Sequence, residues 1–391
     1  MNTKKLLILA SLLLSGCVFE KITDESRPPS LQILTLQDID SPVEVIEEGS
    51  FAAPKKIKLD NEFTLKARVK SPVMNGIRLQ ANSVDFKGGL AVVAYNIAGD
   101  QFGGAIQIFT FKKKKITKRL VEALFPNMDI QALAIQGNRL YIGGHANDAL
   151  FESRSFITYI NVKTNQESKL ISDFNSHIKF FPLGYGVTSL YSADNLIWAS
   201  IGGENGGSLK LNSKLDSLNF DPQDDLRQTT HKYNYGVSIT GNINGDAQLI
   251  RVDNNETLYT FETETADEHR NDLEFHSGYF YAARADAGLD VIRGSQPSLS
   301  YHIDNPNSSV KSYSNGVTRD GKHIFVANGE YGIRYLKINL SKNTHQLLGY
   351  IPFEGLQISN QNYSANGLRY KKDHLVVAAG VGGALIYRLP N

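Results

Sequence analysis

Cysteine is almost absent from this chain of 391 residues, which contains one cysteine, three methionines and one tryptophan. A single thiol excludes a disulfide framework and any metal site built from several cysteines. Neither charge is in excess, because 41 lysines and arginines stand against 40 aspartates and glutamates. Nucleic-acid-binding proteins normally carry a basic excess, so the charge balance argues against that class. It argues equally against a highly charged disordered chain.

Motifs that would indicate chemistry are missing as well. The sequence has no Gly-x-Ser-x-Gly elbow and no Asp-x-Asp-x-Asp-Gly calcium loop, and its nine histidines lack the spacing of zinc ligands. No Trp-Asp dipeptide of WD-type repeats occurs either. We therefore predict no catalytic residue, no metal ligand and no cofactor.

Apolar runs of membrane-spanning length are also absent, and the most apolar segment is Leu6–Leu14. A run of this length is too short to cross a bilayer, which takes about 20 residues. The run follows Lys4 and Lys5, and a charged region before a short apolar core is typical of an export signal. Residues 1–16 are accordingly predicted to be a signal peptide.

The only cysteine comes directly after this run, in the sequence Leu14-Ser15-Gly16-Cys17. These residues resemble the lipobox of bacterial lipoproteins; the alternatives are an ordinary signal peptide with a chance cysteine, or a buried apolar strand. The resemblance implies cleavage before Cys17, diacylglycerol on its sulfur and an acyl chain such as palmitate on the new amine. Two or three acyl chains anchor a protein stably. Because Val18 is not an aspartate, the resemblance also implies an outer-membrane location where the cell has such a membrane.

A stretch without a repeated pattern separates the cysteine from the rest of the chain. Residues 17–60 include the pair Pro28-Pro29, which holds the backbone extended. We predict that residues 17–60 form a flexible tether, with a short strand at Leu31–Leu36.

Residues 61–391 repeat one pattern at intervals of about 47 residues. Each repeat has a strand that alternates apolar and polar residues, then a turn containing Gly, Asn or Asp, then an almost wholly apolar second strand. A Gly-rich turn leads to a third strand, and a more polar fourth strand follows. The copies, numbered repeats 1 to 7, begin near residues 80, 131, 185, 235, 269, 313 and 364.

Seven four-stranded antiparallel units at this spacing predict an all-β fold, a seven-bladed β-propeller. A β-helix would have shorter repeats, and a β-sandwich would not repeat at this interval. The chain stops just after the third strand of repeat 7, which therefore lacks an outer strand. Residues 63–70 alternate like a strand, and we predict that they pair with residues 384–389 and close the ring.

The best-preserved copies resemble a known family. Ala282–Ile292 is similar to the LVIVD repeat of exported bacterial β-propellers. Further variants are Ile324–Leu336 and Leu375–Tyr387. The resemblance covers about residues 62–391, is strong only in the last three repeats, and implies a propeller that is secreted or anchored at the surface, with no assigned chemistry. Asn328 and Ala379 depart from the family, which often has Asp at these positions.

Two groups of polar residues occupy equivalent positions in different repeats. The first group stands at the start of the first strand and comprises Asn82, Asn271, Asn315 and Asn366. These asparagines either contact a ligand near the central channel or cap the turn into the strand, since a repeated residue usually serves the repeat. The second group follows second strands and comprises Glu204, Arg284, Asp286 and Glu330. We predict that both groups face one mouth of the channel, where they would bind a polar ligand such as a saccharide or a peptide terminus.

Two further features have two readings each. The loops Asn96–Gly104 and His145–Ser155 are longer than their equivalents, and they either take part in binding on the same rim or are neutral insertions. The basic turn Lys112–Lys115, with Lys118 and Arg119, either contacts anionic lipid headgroups or is a solvated hairpin.

Three functions remain open. We predict a lipid-anchored binding or scaffold module of the bacterial cell envelope, whose partner is an envelope protein or a polysaccharide or peptide ligand, and not nucleic acid. The alternative is an envelope enzyme, a hydrolase or lyase with a site in the central funnel, since a fold by itself does not determine function. A third class is an accessory lipoprotein of outer-membrane assembly. Carboxylates and histidines that converge at one channel mouth would favour the enzyme.

Overall fold

The computed structural model of the protein describes residues 35–36, 44–45 and most of 63–389. Within the last range the description omits residues 88, 100, 113–114, 152, 163–172, 233–234, 242–245, 262–269, 294–295, 302–311, 354–356, 359–360 and 372. The predicted signal peptide and Cys17 therefore lie outside the described residues. No helix in the described part of the chain is long and apolar enough to cross a bilayer.

The strands follow the repeats. Before repeat 1 come β1 (Thr35–Leu36), β2 (Glu44–Val45), β3 (Thr64–Val69), β4 (Val73–Met74) and β5 (Ile77–Arg78). Repeat 1 contains β6 (Gln80–Lys87), β7 (Leu90–Asn96), β8 (Gly104–Lys112) and β9 (Lys115–Phe125). Repeat 2 contains β10 (Met128–Gln136), β11 (Arg139–Ala146), β12 (Ser155–Asn161) and β13 (Lys179–Phe181). Repeat 3 contains β14 (Gly186–Ala193), β15 (Leu196–Gly202), β16 (Gly207–Asn212) and β17 (Ser217–Pro222).

Repeats 4 to 6 have the same order, whereas repeat 7 has an extra short strand before its first strand. Repeat 4 contains β18 (Leu226–Lys232), β19 (Tyr235–Thr240), β20 (Gln248–Arg251) and β21 (Glu256–Thr260). Repeat 5 contains β22 (Asn271–His276), β23 (Tyr279–Arg284), β24 (Gly288–Arg293) and β25 (Gln296–Tyr301). Repeat 6 contains β26 (Gly316–Asp320), β27 (His323–Ala327), β28 (Gly332–Asn339) and β29 (Thr344–Pro352). Repeat 7 contains β30 (Gln357–Ile358), β31 (Gln361–Lys371), β32 (His374–Gly380) and β33 (Ala384–Arg388). The extra strand is β30, which precedes the first strand, β31, and pairs with it.

Tight turns make each repeat an antiparallel meander. Ser277 and Gly278 join β22 to β23 and have φ angles of 51° and 85°. Two successive residues with positive φ are typical of a type I′ turn, whose twist matches that of the flanking strands. The first and second strands therefore pair along their length, from Asn271↔Arg284 to His276↔Tyr279 in this repeat.

The apolar second strands are buried on both faces because each sheet lies between two others. Every residue of β32 is buried, whereas the first four residues of the fourth strand β29 are exposed. Between repeats 5 and 6, for example, Tyr281 and Val291 pack with Val317 and Ile324. Burying a side chain of this size contributes about 1.5–3 kcal/mol, so these inter-sheet layers are the core of the fold.

The first strands pack against one another in chain order. Contacts run successively through β6, β10, β14, β18, β22, β26 and β31, and β31 also packs against β6. The sheets therefore stand around a central channel, which is the arrangement of a β-propeller, as the repeat pattern predicts.

The strands before repeat 1 add to the sheets of repeats 1 and 7. β3 pairs with β33 in antiparallel register, from Thr64↔Arg388 to Val69↔Ala384. β1 pairs with β9, and β2 pairs with β3. The segment predicted to be a flexible tether thus contains two short strands, and the strand expected at Leu31–Leu36 is described over Thr35–Leu36 only.

Repeat 4 departs from the predicted register. Tyr235–Thr240 resembles the start of a repeat but forms the second strand, and the first strand is Leu226–Lys232. This first strand is polar and so lacks the apolar alternation of its equivalents. Thr229 is buried within it and shares a hydrogen bond of 2.6 Å with Ser238 Oγ, so hydroxyl groups are satisfied where other repeats pack apolar side chains.

Candidate functional site

First strands begin where second strands end, so the candidate residues emerge on one side of the propeller. We call this side the upper face. The described residues of its turns are 97–99, 101–103, 147–151, 153–154, 203–206, 241, 246–247, 285–287, 328–331 and 381–383. The lysine-rich turn joins β8 to β9 at the opposite, lower face, and its side chains lie outside the described ones.

The asparagines that repeat at the start of the first strand, Asn82, Asn271, Asn315 and Asn366, are called the register asparagines. Three of the four link neighbouring sheets. Each side-chain amide donates to the main-chain carbonyl that precedes the equivalent position of the next repeat. The hydrogen bonds are Asn82 to Ile130 at 2.8 Å, Asn315 to Ala365 at 3.2 Å and Asn366 to Ala81 at 2.9 Å. The amide groups are therefore used within the fold, which supports the structural reading of this repeated residue. Asn271 is buried, and its Oδ1 has no hydrogen-bond partner among the described residues.

A β-bulge turns the Asn82 side chain toward the neighbouring sheet. Asn82 is the extra residue where the β6–β7 register shifts between Ala81 and Ser83. Thr188 occupies the equivalent bulge in repeat 3, and its Oγ1 donates to the carbonyl of Leu226 at 2.9 Å. A bulge redirects a side chain by inserting one residue, so threonine and asparagine here make the same link. The sequence pattern missed Thr188 because only the asparagines repeat visibly.

The four charged candidates occupy different environments. Glu204 and Asp286 are exposed on the upper face, and Glu330 is half-buried and accepts a hydrogen bond from Asn362 Nδ2 at 3.0 Å. Arg284 is only 2% exposed, so its charge is not presented to solvent at this face. The structure thus brings three of the four residues to the surface of the predicted face.

Arg284 is instead part of a buried ion pair within repeat 5. Its Nε lies 2.8 Å from Oδ2 of Asp290 on β24, and its guanidinium lies 4.0 Å from the centre of the Phe261 ring. Ser300 Oγ donates to the other oxygen of Asp290 at 2.5 Å. These contacts satisfy both charges inside the sheet, which is the condition for burying an ion pair.

A charged cluster inside the channel was not predicted from sequence. Its members come from repeats 1, 5, 6 and 7 and are Asp85, Asp272, Glu274, Arg319 and Arg369. Nη1 of Arg369 in repeat 7 lies 3.0 Å from Oδ2 of Asp272 in repeat 5. Burial raises the pKa of Glu274 to about 7, although Arg369 acts in the opposite direction. A signal was present, because Asp85, Glu274 and Arg369 each stand three residues after a register asparagine.

The side chains of this region mostly join adjacent first strands. In each link a side-chain oxygen accepts a hydrogen bond from a main-chain N–H of the next repeat. The donors and acceptors are Ile135 to Asp85 at 2.6 Å, Thr229 to Ser189 at 3.0 Å, Val317 to Asp272 at 2.9 Å and Tyr370 to Thr318 at 3.2 Å. Asp85 and Asp272 thus act as main-chain acceptors within the fold. Among the described residues, His, Cys, Asp and Glu side chains form no group arranged to hold a metal ion.

A cavity of about 370 Å³ opens on the upper face between repeats 2 and 3. Its walls come from one long loop of repeat 2 and from the beginning and second turn of repeat 3. The lining residues are Asp148, Phe151, Ser153, Arg154, Pro182, Leu183, Gly184, Glu204 and Asn205. The cavity therefore includes Glu204 and the predicted long loop, which is confined to residues 147–154 because His145 and Ser155 belong to strands.

The long loop is held in place by its own hydrogen bonds. The N–H of Ala146 donates to the carbonyl of Arg154 at 2.7 Å, and Nε of Arg154 donates to Asp148 Oδ2 at 2.7 Å. The Phe151 ring stacks on Phe180, with centroids 5.1 Å apart. A loop fixed in this way offers a pre-formed wall to a ligand, which lowers the entropy cost of binding.

His145 lies beside the cavity and is uncharged. Its side chain is 2% exposed and packs between the rings of Phe102, at 4.8 Å, and Tyr185, at 4.1 Å. Neither ring nitrogen has a hydrogen-bond partner among the described residues. Burial, helped by the charge of Arg154, lowers the pKa of His145 to about 4, so the imidazole is neutral at pH 7.

Comparison with known proteins identifies the fold. No family model matches the chain, and no curated protein matches it. The chain is similar to the solved WD40 repeats of RRP9, with a TM-score of 0.60 and 12% identity over 84% of this chain and 100% of that one. It is also similar to U3-55K, with a TM-score of 0.58 and 12% identity over 82% of this chain and 98% of that one. At this identity the likeness concerns architecture alone, and it confirms that the protein is a β-propeller.

Proposed function

We propose that the protein is a lipid-anchored binding or scaffold module of a bacterial cell envelope that holds a partner protein at its upper face. The observation that carries the proposal is the pair of exposed large side chains beside the cavity, Tyr185 at 53% and Leu150 at 40%. Exposed apolar groups around a concave site with convergent polar groups are typical of a binding surface. Because these groups are apolar as well as polar, a protein partner fits the surface better than a polysaccharide.

We further propose that the propeller has seven blades and that β3 completes the last one. The pairing of β3 with β33 supports this proposal. Packing supports it too, because Ala67 and Val69 join the apolar core next to repeat 1 and Leu65 joins the core next to repeat 6. A strand packed on both faces within a sheet is an integral part of a blade.

The partner surface is tested by photocrosslinking in cells. We expect a photoreactive phenylalanine analogue at Leu150 to yield a discrete crosslinked band in envelope fractions. The same analogue at Leu218, which is 54% exposed on the outer strand β17, provides a matched control and should yield none. Equal crosslinking from both positions, or none from Leu150, would contradict an upper-face partner.

The lipid anchor is tested by Cys17→Ser. Because only a thiol accepts the diacylglycerol, we expect this variant to incorporate no radiolabelled palmitate and to leave the salt-washed membrane fraction. Ser15→Ala keeps the cysteine and a small residue before it, so this control should still be labelled and remain membrane-bound. Palmitate in the Cys17→Ser protein would show that lipidation occurs elsewhere in the chain.

An enzyme with its site in the channel is the second candidate. The raised pKa of Glu274, close to 7, favours it, because perturbed carboxyl groups in a cleft are often catalytic. We nevertheless prefer the binding module, since Asp85 and Asp272 accept hydrogen bonds that link the blades.

A further inference from the structure

We infer that the cavity between repeats 2 and 3 receives a lysine or arginine side chain of the partner. This inference rests on the proposed function and names the chemistry by which the upper face recognises its partner. Its basis is the charge around the cavity, the few apolar residues in its lining and the position of an aromatic ring at the edge.

The charges around the cavity leave an excess of carboxylate. Asp148 and Arg154 neutralise each other as an ion pair. Glu204 also lines the cavity, is exposed, and has no hydrogen-bond or ion-pair partner among the described residues. Because His145 behind the cavity is neutral, Glu204 leaves the described side chains that line the cavity with a net negative charge, which favours a cation.

Part of the lining can contact the aliphatic stem of a long basic side chain. Phe151, Pro182 and Leu183 are the apolar residues of a lining that is otherwise mostly polar. Lysine and arginine bury their methylene groups along such surface while the charged end stays near polar groups. Here the end would lie toward Glu204.

An aromatic ring at the edge adds a second attraction for a cation. The guanidinium carbon of Arg154 lies 5.9 Å from the centre of the Tyr185 ring, and the ring is half-exposed. Aromatic faces attract cations within about 6 Å. The Tyr185 ring therefore already contacts the guanidinium of Arg154, and its exposed surface is open to a cation of the partner.

Direct titration tests the inference without any partner. The probes are the peptides acetyl-Ala-X-Ala-amide, with X as lysine, arginine, norleucine or glutamate, added to the full-length Cys17→Ser protein with labelled leucine methyl groups. We expect saturable shifts of the Leu150 and Leu183 signals with the lysine and arginine peptides, with affinity roughly fivefold or more above that for norleucine. The glutamate peptide should bind most weakly of the four.

Two variants in the cavity distinguish recognition of a positive charge from nonspecific apolar binding. Glu204→Gln should lower the affinity for the lysine peptide roughly threefold or more. Glu256 is an exposed glutamate on β21, and Glu256→Gln should leave that affinity unchanged. Arg154→Gln removes the competing cation and should strengthen lysine binding at least about twofold. Norleucine binding as tight as lysine, or a Glu204→Gln protein that binds lysine normally, would overturn the inference.

The titration and the crosslinking test fail independently. If Leu150 crosslinks a partner but the cavity does not prefer basic peptides, the proposed function stands and the basic side chain is wrong. If basic peptides bind but no crosslink forms at Leu150, the cavity chemistry stands and the upper-face partner is wrong.

Discussion

A chain that begins at Ser71, and so lacks β3, is expected to lose its cooperative thermal unfolding transition. β3 covers the edge of β33 over the whole register from Ala384 to Arg388. Without β3, that edge exposes unpaired main-chain groups. The apolar cores on both sides of the last sheet also lose the side chains that β3 contributes to them. The expected loss is the largest of any change considered, because it removes the strand that covers β33 and packs toward both repeat 6 and repeat 1.

The size of this loss follows from the buried side chains of β3. Ala67 and Val69 are almost fully buried, and Leu65 is partly buried. At about 1.5–3 kcal/mol for each large apolar side chain, together with the lost pairing, the cost approaches the total stability of about 5–15 kcal/mol of a typical domain.

Circular dichroism and calorimetry on the protein that begins at Ser71 measure the effect. The matched control begins at Asn61, which removes β1 and β2 but keeps β3, and it should melt as one transition. Indistinguishable melting of the two proteins would refute the role of β3 in the ring.

Arg284→Met is expected to destabilise the protein by about 3–5 kcal/mol, because it leaves the buried carboxylate of Asp290 without its cation. The pair is shielded from water, with side-chain exposures of 2% and 9%, so solvent screens it little. The loss of the Phe261 contact adds to the cost. Chemical denaturation measures the change in the free energy of unfolding.

Two companion variants show whether the pair or the site is responsible. Arg293→Met alters an exposed arginine at the end of β24, the strand that carries Asp290, and should cost less than about 1 kcal/mol. The double variant Arg284→Met with Asp290→Leu removes both charges and should recover most of the stability. If Arg284→Met and Arg293→Met lower the free energy of unfolding equally, the buried ion pair is not responsible for the loss of stability.

Local patterns made much of the fold predictable. Alternation in Asn366–Tyr370, the Ser277-Gly278 turn and the apolar run Leu375–Gly380 each depend on neighbours in sequence, so their periods and turn residues indicate strands and their order. Residues 63–70 could be assigned as a strand for the same reason. The first strand of repeat 4 was not predicted, because hydrogen-bonded threonines stand where the other repeats have apolar residues.

The candidate site depended on contacts that no local pattern records. Asn366 bonds to the carbonyl of Ala81, 285 residues away, and Arg369 pairs with Asp272 across 97 residues. Sequence position alone placed Arg284 after a second strand on the binding face. Its side chain instead turns into the sheet, where it binds Asp290, two residues beyond its register partner Gly288 on the next strand. The cavity at Glu204 likewise exists only where repeats 2 and 3 meet. The sequence by itself thus determined the repeats and most of the strands, and the lipid anchor stays a prediction. The tertiary structure decided which polar groups hold the sheets together and which are exposed at the upper face.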